Sequence, residues 1–478
     1  MSDVTQLTGQ VVPRLPLWRK WCLAAQRGEA EAVAWWDEMT ERSPTLLSQL
    51  REAFDADHAL TLLRRAIATP SVTGEEAAFA ALLKEELASI GAEDIRSSDF
   101  EPGRPNVWGR RRGRDGGDTL LLIGHTDTVQ VQGWRERWAG AEREDPFGGA
   151  LVDGRVWGRG ASDLKAGLCA SLEAVRTLDR AGLPLDPTVM FAFVGDEESG
   201  EPGSGVSAGA RAFARLIEEG SVPKPDMAIY VEPTMLDVYV AHMGFILCDI
   251  TVVGKSAYFG VPELGVDALK AAHPALAALW RYSDELAAAG AHPLVGSGFV
   301  LPTGVRAGGY IAVPGECTIS LIAKIPPGIS LDRVREGLEA AVRSAVTDER
   351  VQVRFSYPTH RDHAIGGQPF ESAPDAVRLE RLVAAVRAVR PDRGRIEAAP
   401  YWSELPILAA LGIPGVYFAP GDIRVCHTPE ENVSLDDYFD GVLALAVFLA
   451  GPAGRDRKAG MTRPPGTVAA NGAAARQA

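Results

Sequence analysis

Cysteine is scarce in this 478-residue chain: the five are scattered at Cys22, Cys169, Cys248, Cys317 and Cys426. An odd number with no Cys-x-x-Cys pair argues against a disulfide framework and against a thiolate metal site, and leaves reduced thiols in a cytoplasmic protein as the expectation. Positive charge is also short. The 49 Lys and Arg stand against 63 Asp and Glu, a formal balance of −14, which argues against binding nucleic acid or an anionic membrane. No run of about 18 apolar residues occurs, and the opening MSDVTQLTGQVV lacks a basic stretch followed by an apolar one, so neither a membrane span nor a signal peptide is expected. What is there is globular composition, 46% hydrophobic and 23% charged, over a length that suits at least two domains.

The periodicity divides the chain. Residues 1–54 carry four tryptophans, Trp18, Trp21, Trp35 and Trp36, at helical spacing, and are expected to form a helical extension that covers an apolar face or docks a partner. From Asp57 the pattern is α/β. Helices are expected near 59–68, 75–88, 164–182 and 205–219, with buried apolar strands at 119–123, 188–194 and 227–231. Strands alternating with helices predict parallel pairing with helices on both faces. After Tyr239 the rhythm becomes strand 244–253, helix 264–289, strands near 308–313 and 316–324, helix 331–346 and strand 351–357. That is the split βαβ order of a small α+β sandwich. The expected organisation is therefore an inserted domain at 241–355 within a main domain formed by 55–240 and 356–450. The Gly/Ala/Arg/Pro-rich tail 451–478 reads as disordered.

Chemistry gathers at strand ends. Leu120–Ile123 runs into Gly124-His125-Thr126-Asp127, Val189–Val194 into Gly195-Asp196-Glu197-Glu198, and Met227–Val231 into Glu232-Pro233. Asp163 opens a helix in Gly160-Ala161-Ser162-Asp163, and His427 follows a fourth apolar stretch at Val416–Ala419. Each element has a bland reading: a loop histidine beside a capping aspartate, a helix N-cap, a solvated acidic loop. Together they deliver two imidazoles and several carboxylates to the carboxyl-end rim, where open α/β sheets build ligand sites. Nitrogen and oxygen donors without thiolates suit Zn²⁺, and also Co²⁺ or Mn²⁺, as a bridged pair.

In these segments the chain resembles the dinuclear zinc metallopeptidase and deacylase family that includes acetylornithine deacetylase, succinyl-diaminopimelate desuccinylase, aminoacylase and carboxypeptidase G. The resemblance covers about 55–450. It implies an α/β fold with a zinc-peptidase-like mixed sheet flanked by helices, and an inserted α+β sandwich serving as lid and dimerisation domain, hence a homodimer. It implies two Zn²⁺ held by His125, Asp163, Glu198, Glu232 and His427, with Asp163 bridging and followed by a cis peptide. Asp127 would orient His125 by accepting its other ring N–H, and Glu197 would be the general base.

The substrate side departs from the family. Where members carry a lid histidine in Gly-Lys-x-Ala-His, this chain has Gly254-Lys255-Ser256-Ala257-Tyr258. A tyrosine donates one hydrogen bond but carries no positive charge near neutral pH. The lid asparagine typical of the family is replaced in Ile311-Ala312-Val313-Pro314, and its carboxylate-clasping arginine becomes Lys324, which keeps charge but loses the bidentate fork. The late Gly-Thr-Asp-Ala-Arg-like segment becomes Trp402-Ser403-Glu404-Leu405-Pro406. Tyr258, Lys324 and Ser403 are the substrate-binding candidates; the rewritten substrate side points to a substrate bulkier than the usual N-acyl amino acid or lacking its free α-carboxylate, and the alternative is ordinary divergence with residues such as Arg306 or Arg361 compensating. The function expected is cleavage of an amide bond in an N-acyl amino acid, dipeptide or related small molecule. The alternatives are hydrolysis of another C–N bond, in an aryl amine or carbamoyl group, and a metal-bearing binding protein without turnover.

Overall fold

The computed structural model describes residues 45–198, 205–358, 361–372 and 376–450. The four tryptophans of the first segment and the tail from 451 lie outside them. Residues 45–53 are helical, with Leu47 and Leu50 buried, and Phe54 sets its ring edge-on 5.1 Å from Phe439. The end of the extension thus packs on the main core.

A nine-stranded mixed sheet forms the larger unit. At its centre Thr119–His125 runs parallel to Thr188–Val194 on one side and to Met227–Tyr230 on the other, with Gly415–Tyr417 parallel to Met227–Tyr230 beyond. These strands are continuous apolar runs because both faces are covered; Leu120, Leu121, Leu122 and Ile123 are all buried. The sheet is mixed rather than wholly parallel. A hairpin, Glu93–Glu101 and Arg104–Arg111, adds antiparallel strands beside Thr188–Val194. Sequence reasoning missed it because EDIRSSDFE is polar and almost wholly exposed, so it carries no period-2 signal.

Helix Ala166–Arg180 crosses the central strands so closely that a Cβ at Gly167 would lie 2.2 Å from the Val231 carbonyl oxygen. Glycine is the residue that permits this approach.

The second sheet is antiparallel and has its own hydrophobic core. Gly244–Val253 buries alternate residues, Ile246, Cys248, Ile250 and Val252, against helices Ala268–Ala288 and Leu331–Ala345. Asp267 and Ser330 cap those helices, accepting the backbone N–H of Lys270 at 2.9 Å and of Arg333 at 3.3 Å. The strands expected near 308–313 and 316–324 are in fact a longer hairpin, Phe299–Gly309 and Ala312–Ile325. Pro302 and Gly304 lie inside the first of these; among the described residues Phe299–Gly309 pairs with Ala312–Ile325 alone, and an edge strand tolerates proline. Gly366–Gly367 also joins this sheet, pairing with Phe245 and Ile246.

Candidate metal centre

Parallel central strands place their carboxyl ends on one rim, and the acidic and imidazole groups follow those ends directly. His125 closes its strand. Gly124 before it has no room for a side chain, since a Cβ there would sit 2.8 Å from Leu164 Cδ1 and Val231 Cγ2. His125 Nε2 lies 3.0 Å from Asp163 Oδ1, and His427 Nε2 lies 3.2 Å from Asp163 Oδ2 and 2.9 Å from Glu198 Oε1. Glu232 Oε1 is 3.9 Å from His125 Nε2. Two sets of potential ligand atoms, His125 with Asp163 and Glu232, and Asp163 with Glu198 and His427, each lie within 4.8 Å of one another. Asp163 belongs to both and turns a different oxygen to each. The peptide after it, Asp163–Leu164, is cis.

The donor chemistry fits divalent cations. All these groups are buried except His427, whose side chain is half-exposed. Burial, reinforced by the Asp163 charge, pushes the Glu198 carboxyl up to about 8. Burial likewise lifts Glu232 well above the carboxylate range, with Asp163 adding to it. Burial opposes the charged imidazoles, but the hydrogen bond to Asp163 and the Glu232 charge outweigh it and hold His125 well above its ordinary value. His427 is raised to about 11 in the same way by Asp163 and Glu198. Buried carboxylates this close raise one another's pKa, and a divalent cation among them would offset that repulsion and displace the protons that the acids and imidazoles otherwise share.

Asp127 acts differently from the expected carboxylate-to-imidazole contact. His125 Nδ1 lies 2.9 Å from the Asp127 backbone oxygen, whereas the Asp127 carboxylate is 3.8 Å away. That carboxylate instead accepts the backbone N–H groups of Glu197 at 3.1 Å and Glu198 at 2.8 Å, and the Thr73 hydroxyl at 3.0 Å. One residue therefore holds two strand ends. Asp196, the first of the three adjacent acids, turns away at φ +72°. It accepts from Arg104 Nη2 at 3.0 Å and from the N–H groups of Gly205, Val206 and Ala208. This directs only Glu197 and Glu198 into the rim.

The three substrate-side candidates are dispersed. Ser403 is buried and donates to Glu232 Oε1 at 2.7 Å, so it supports a potential ligand. Tyr258 lies on the second sheet, 62% exposed, its ring 4.5 Å from that of Phe259. Lys324, in register with Phe245, is largely buried, and burial lowers its ammonium pKa.

Comparison with known proteins adds identity to this geometry. The family model described as peptidase family M20/M25/M40 matches residues 121–450. The chain belongs to the M20/M25/M40 peptidase family. As a member it is a metal-dependent hydrolase of amide or peptide C–N bonds, a class in which a two-metal centre is typical. Among its relatives are an acetylornithine deacetylase from Proteus mirabilis, 27% identical over 79% of this chain and 92% of that protein, and a succinyl-diaminopimelate desuccinylase from Leptothrix cholodnii, 28% identical over 78% and 93%. In fold it is similar to an aminopeptidase from Bacillus cereus (TM-score 0.64, 19% identity, 83% of this chain and 99% of that one) and to human carnosine dipeptidase 1 (TM-score 0.64, 14% identity, 86% and 98%).

Around this M20 centre stand residues that sequence reasoning did not assign. Glu431 is buried, accepts the backbone N–H groups of Ser162 at 3.2 Å and Asp163 at 3.1 Å, and pairs with buried Arg159. Glu404 accepts from the Tyr230 hydroxyl at 2.7 Å, and burial with the Glu197 charge pushes it up to about 8. Glu430-Glu431 beside His427 was the one legible signal for the first. Arg104 and Thr73 carried none.

Proposed function

We propose that this M20 hydrolase cleaves the amide bond of an N-acyl amino acid, dipeptide or related small molecule, with Glu197 as general base over a pair of zinc ions. The observation that carries this reading is Asp163, which offers one oxygen to each of two ligand sets. His125 and Glu232 would hold one ion, Glu198 and His427 the other, with Asp163 between; Co²⁺ or Mn²⁺ suits the same donors. When bound, the ions polarise the scissile carbonyl and lower the pKa of a shared water. Glu197, buried at the rim and within ligand distance of His125 and Glu198, takes a proton from the attacking water and returns it to the departing amine. Asp127 keeps Glu197 and His125 in register through the bonds described above. The relatives' activities, deacetylation, desuccinylation and dipeptide cleavage, support a small amide as substrate.

A homodimer joined through the second sheet belongs to the same proposal. Edge strand Phe299–Gly309 exposes Phe299, Leu301 and Val305, an apolar edge that invites a partner. The location proposed is the cytoplasm: Cys169, Cys248, Cys317 and Cys426 are all free and buried. Among the described residues no helix is long and apolar enough to cross a membrane.

The test is a metal count per chain on the zinc-supplemented protein, with a panel of acyl-amino acids, dipeptides and carbamoyl-amino acids. Amine release that falls by about 10²–10⁴ in Glu197→Ala with metal retained is expected. Metal uptake and tight binding without turnover would replace the proposal with a binding protein, and turnover of the carbamoyl compounds alone would move it to another C–N bond.

A further inference from the structure

The two imidazoles of the centre are held in different ways. His125 closes a strand, and its second ring nitrogen lies 2.9 Å from the Asp127 backbone oxygen. His427 sits in a loop with its side chain 51% exposed, and its Nδ1 has no hydrogen-bond partner among the described residues. A ligating imidazole is ordinarily oriented by a bond to its other nitrogen, so here the orientation falls to the backbone. That backbone is strained. His427 has φ +61°, a left-handed conformation that a non-glycine residue keeps only where its surroundings impose it.

The residues after His427 are clasped on two sides. On the inner side Glu431 accepts the Ser162 and Asp163 N–H groups. On the outer side the Pro429 carbonyl accepts the Trp138 indole N–H at 2.6 Å, and Glu430 Oε1 accepts from Arg137 Nε at 2.8 Å. The Arg137–Glu430 pair is exposed at both ends and contributes little, which leaves Trp138 as the outer hold. Trp138 is itself braced. Trp134, fully buried, donates from Nε1 to the Arg143 carbonyl at 2.9 Å. Arg143 then lies between two rings, its Cζ 3.7 Å from the Trp138 centroid and 4.2 Å from that of Trp157. The two indoles meet edge-on with centroids 5.4 Å apart. Trp157 is in register with Asn432, at the far end of the loop that carries His427. Trp138 thus joins that loop to a rigid aromatic block, whereas His125 and Glu232 follow central strands and Glu232 takes its support from Ser403.

We propose that Trp138 is a positioning residue for the ion on the His427 side. Its indole N–H, bound to the Pro429 carbonyl, holds the left-handed turn that aims His427 Nε2 at Asp163 and Glu198. This rests on the two-ion part of the reading above. Trp138 acts before any ion arrives, because a loop already held in its bound shape does not have to be ordered on binding. The hold is one-sided, so its loss is felt by one ion of the pair.

The test titrates zinc into the metal-free full chain against a competing chelator, for the parent, Trp138→Phe, His427→Ala and the double variant. Phenylalanine keeps a ring beside Arg143 and Trp157 and deletes the N–H. Trp138→Phe is expected to keep one ion at parent affinity and to bind the other about 10- to 100-fold more weakly. His427→Ala should weaken that same ion, and adding Trp138→Phe to it should change nothing further, because the indole acts through the imidazole. Equal weakening of both ions, unchanged affinity at both, or a Trp138→Phe effect that persists in full beside His427→Ala overturns the proposal. Should Trp138→Phe not fold, benzothienylalanine at position 138, the same ring with sulfur in place of the N–H, makes the same comparison. If the parent holds a single ion, the two-ion reading falls, and the proposal stands only if His427→Ala and Trp138→Phe both weaken that ion. A parent that binds none ends both.

Discussion

Asp127 Oδ2 accepts the backbone N–H of Glu198 at 2.8 Å, which ties the loop after strand Thr188–Val194 to the loop after Thr119–His125. The Asp127 backbone oxygen meanwhile takes His125 Nδ1 at 2.9 Å. Removing the carboxylate frees two N–H groups and a hydroxyl without deleting a single potential ligand. Asp127→Ala is expected to weaken metal binding about 10- to 100-fold, as loss of an outer-shell partner does. Competition against a chelator measures it; unchanged retention of both ions would show that the loops hold themselves.

Glu431 and Arg159 form a buried ion pair, their side chains 1% and 2% exposed, at the turn that carries Asp163. Breaking it from one side strands a charge in the interior. Glu431→Gln should destabilise the chain by about 3–5 kcal/mol, read from the urea midpoint. The double change Glu431→Gln with Arg159→Met should recover part of that. A double variant as unstable as the single one would mean that the bonds from Glu431 to the Ser162 and Asp163 N–H groups dominate instead.

His242 is fully buried among Phe370, Trp402 and Tyr417, and burial lowers it to about 3, against a weaker upward pull from its hydrogen bond to the Met243 carbonyl. The unfolded chain takes up a proton near 6.5, and the folded chain does not until about pH 3. Between those values the unfolded state binds more protons, so stability rises with pH there and is lost as pH falls. The slope from this group alone is about 1.4 kcal/mol per pH unit, roughly 2 kcal/mol between pH 6.5 and 5. His242→Phe should flatten that limb in urea titrations at pH 7, 6 and 5; an unaltered slope would show that His242 charges in place.

Leu301 is 51% exposed on the edge strand Phe299–Gly309. If two copies pair along this edge, Leu301→Lys places like charges across the joint and should shift sedimentation from dimer toward monomer, with the fold intact by circular dichroism. A monomeric parent chain, or a Leu301→Lys protein that stays dimeric, would remove this edge from the interface.

Much of the centre was legible because it is local. An apolar strand announces itself by composition, and its last residue is followed at once by the groups it delivers, as in Leu120–Ile123 before His125 or Met227–Tyr230 before Glu232. The hairpin Glu93–Arg111 was illegible because its outer strand is solvated, yet it brings Arg104 to Asp196 and Asn106 to the Gly195 N–H at 3.2 Å. Ser403 reads equally well as a substrate contact and as the Glu232 support it is, since a serine's composition says nothing of which carboxylate it will meet.

Sequence alone determined the residue types at the rim and the order of the strands that carry them, because these depend on near neighbours in the chain. Tertiary structure decided which oxygen of Asp163 faces which imidazole, that Asp196 turns outward while Glu197 and Glu198 turn in, and that Arg361 meets Trp402 and Glu197. The contacts of Asp163 with the two imidazoles join residues 38 and 264 positions apart, and only packing of the sheets and helices fixes the distances between them.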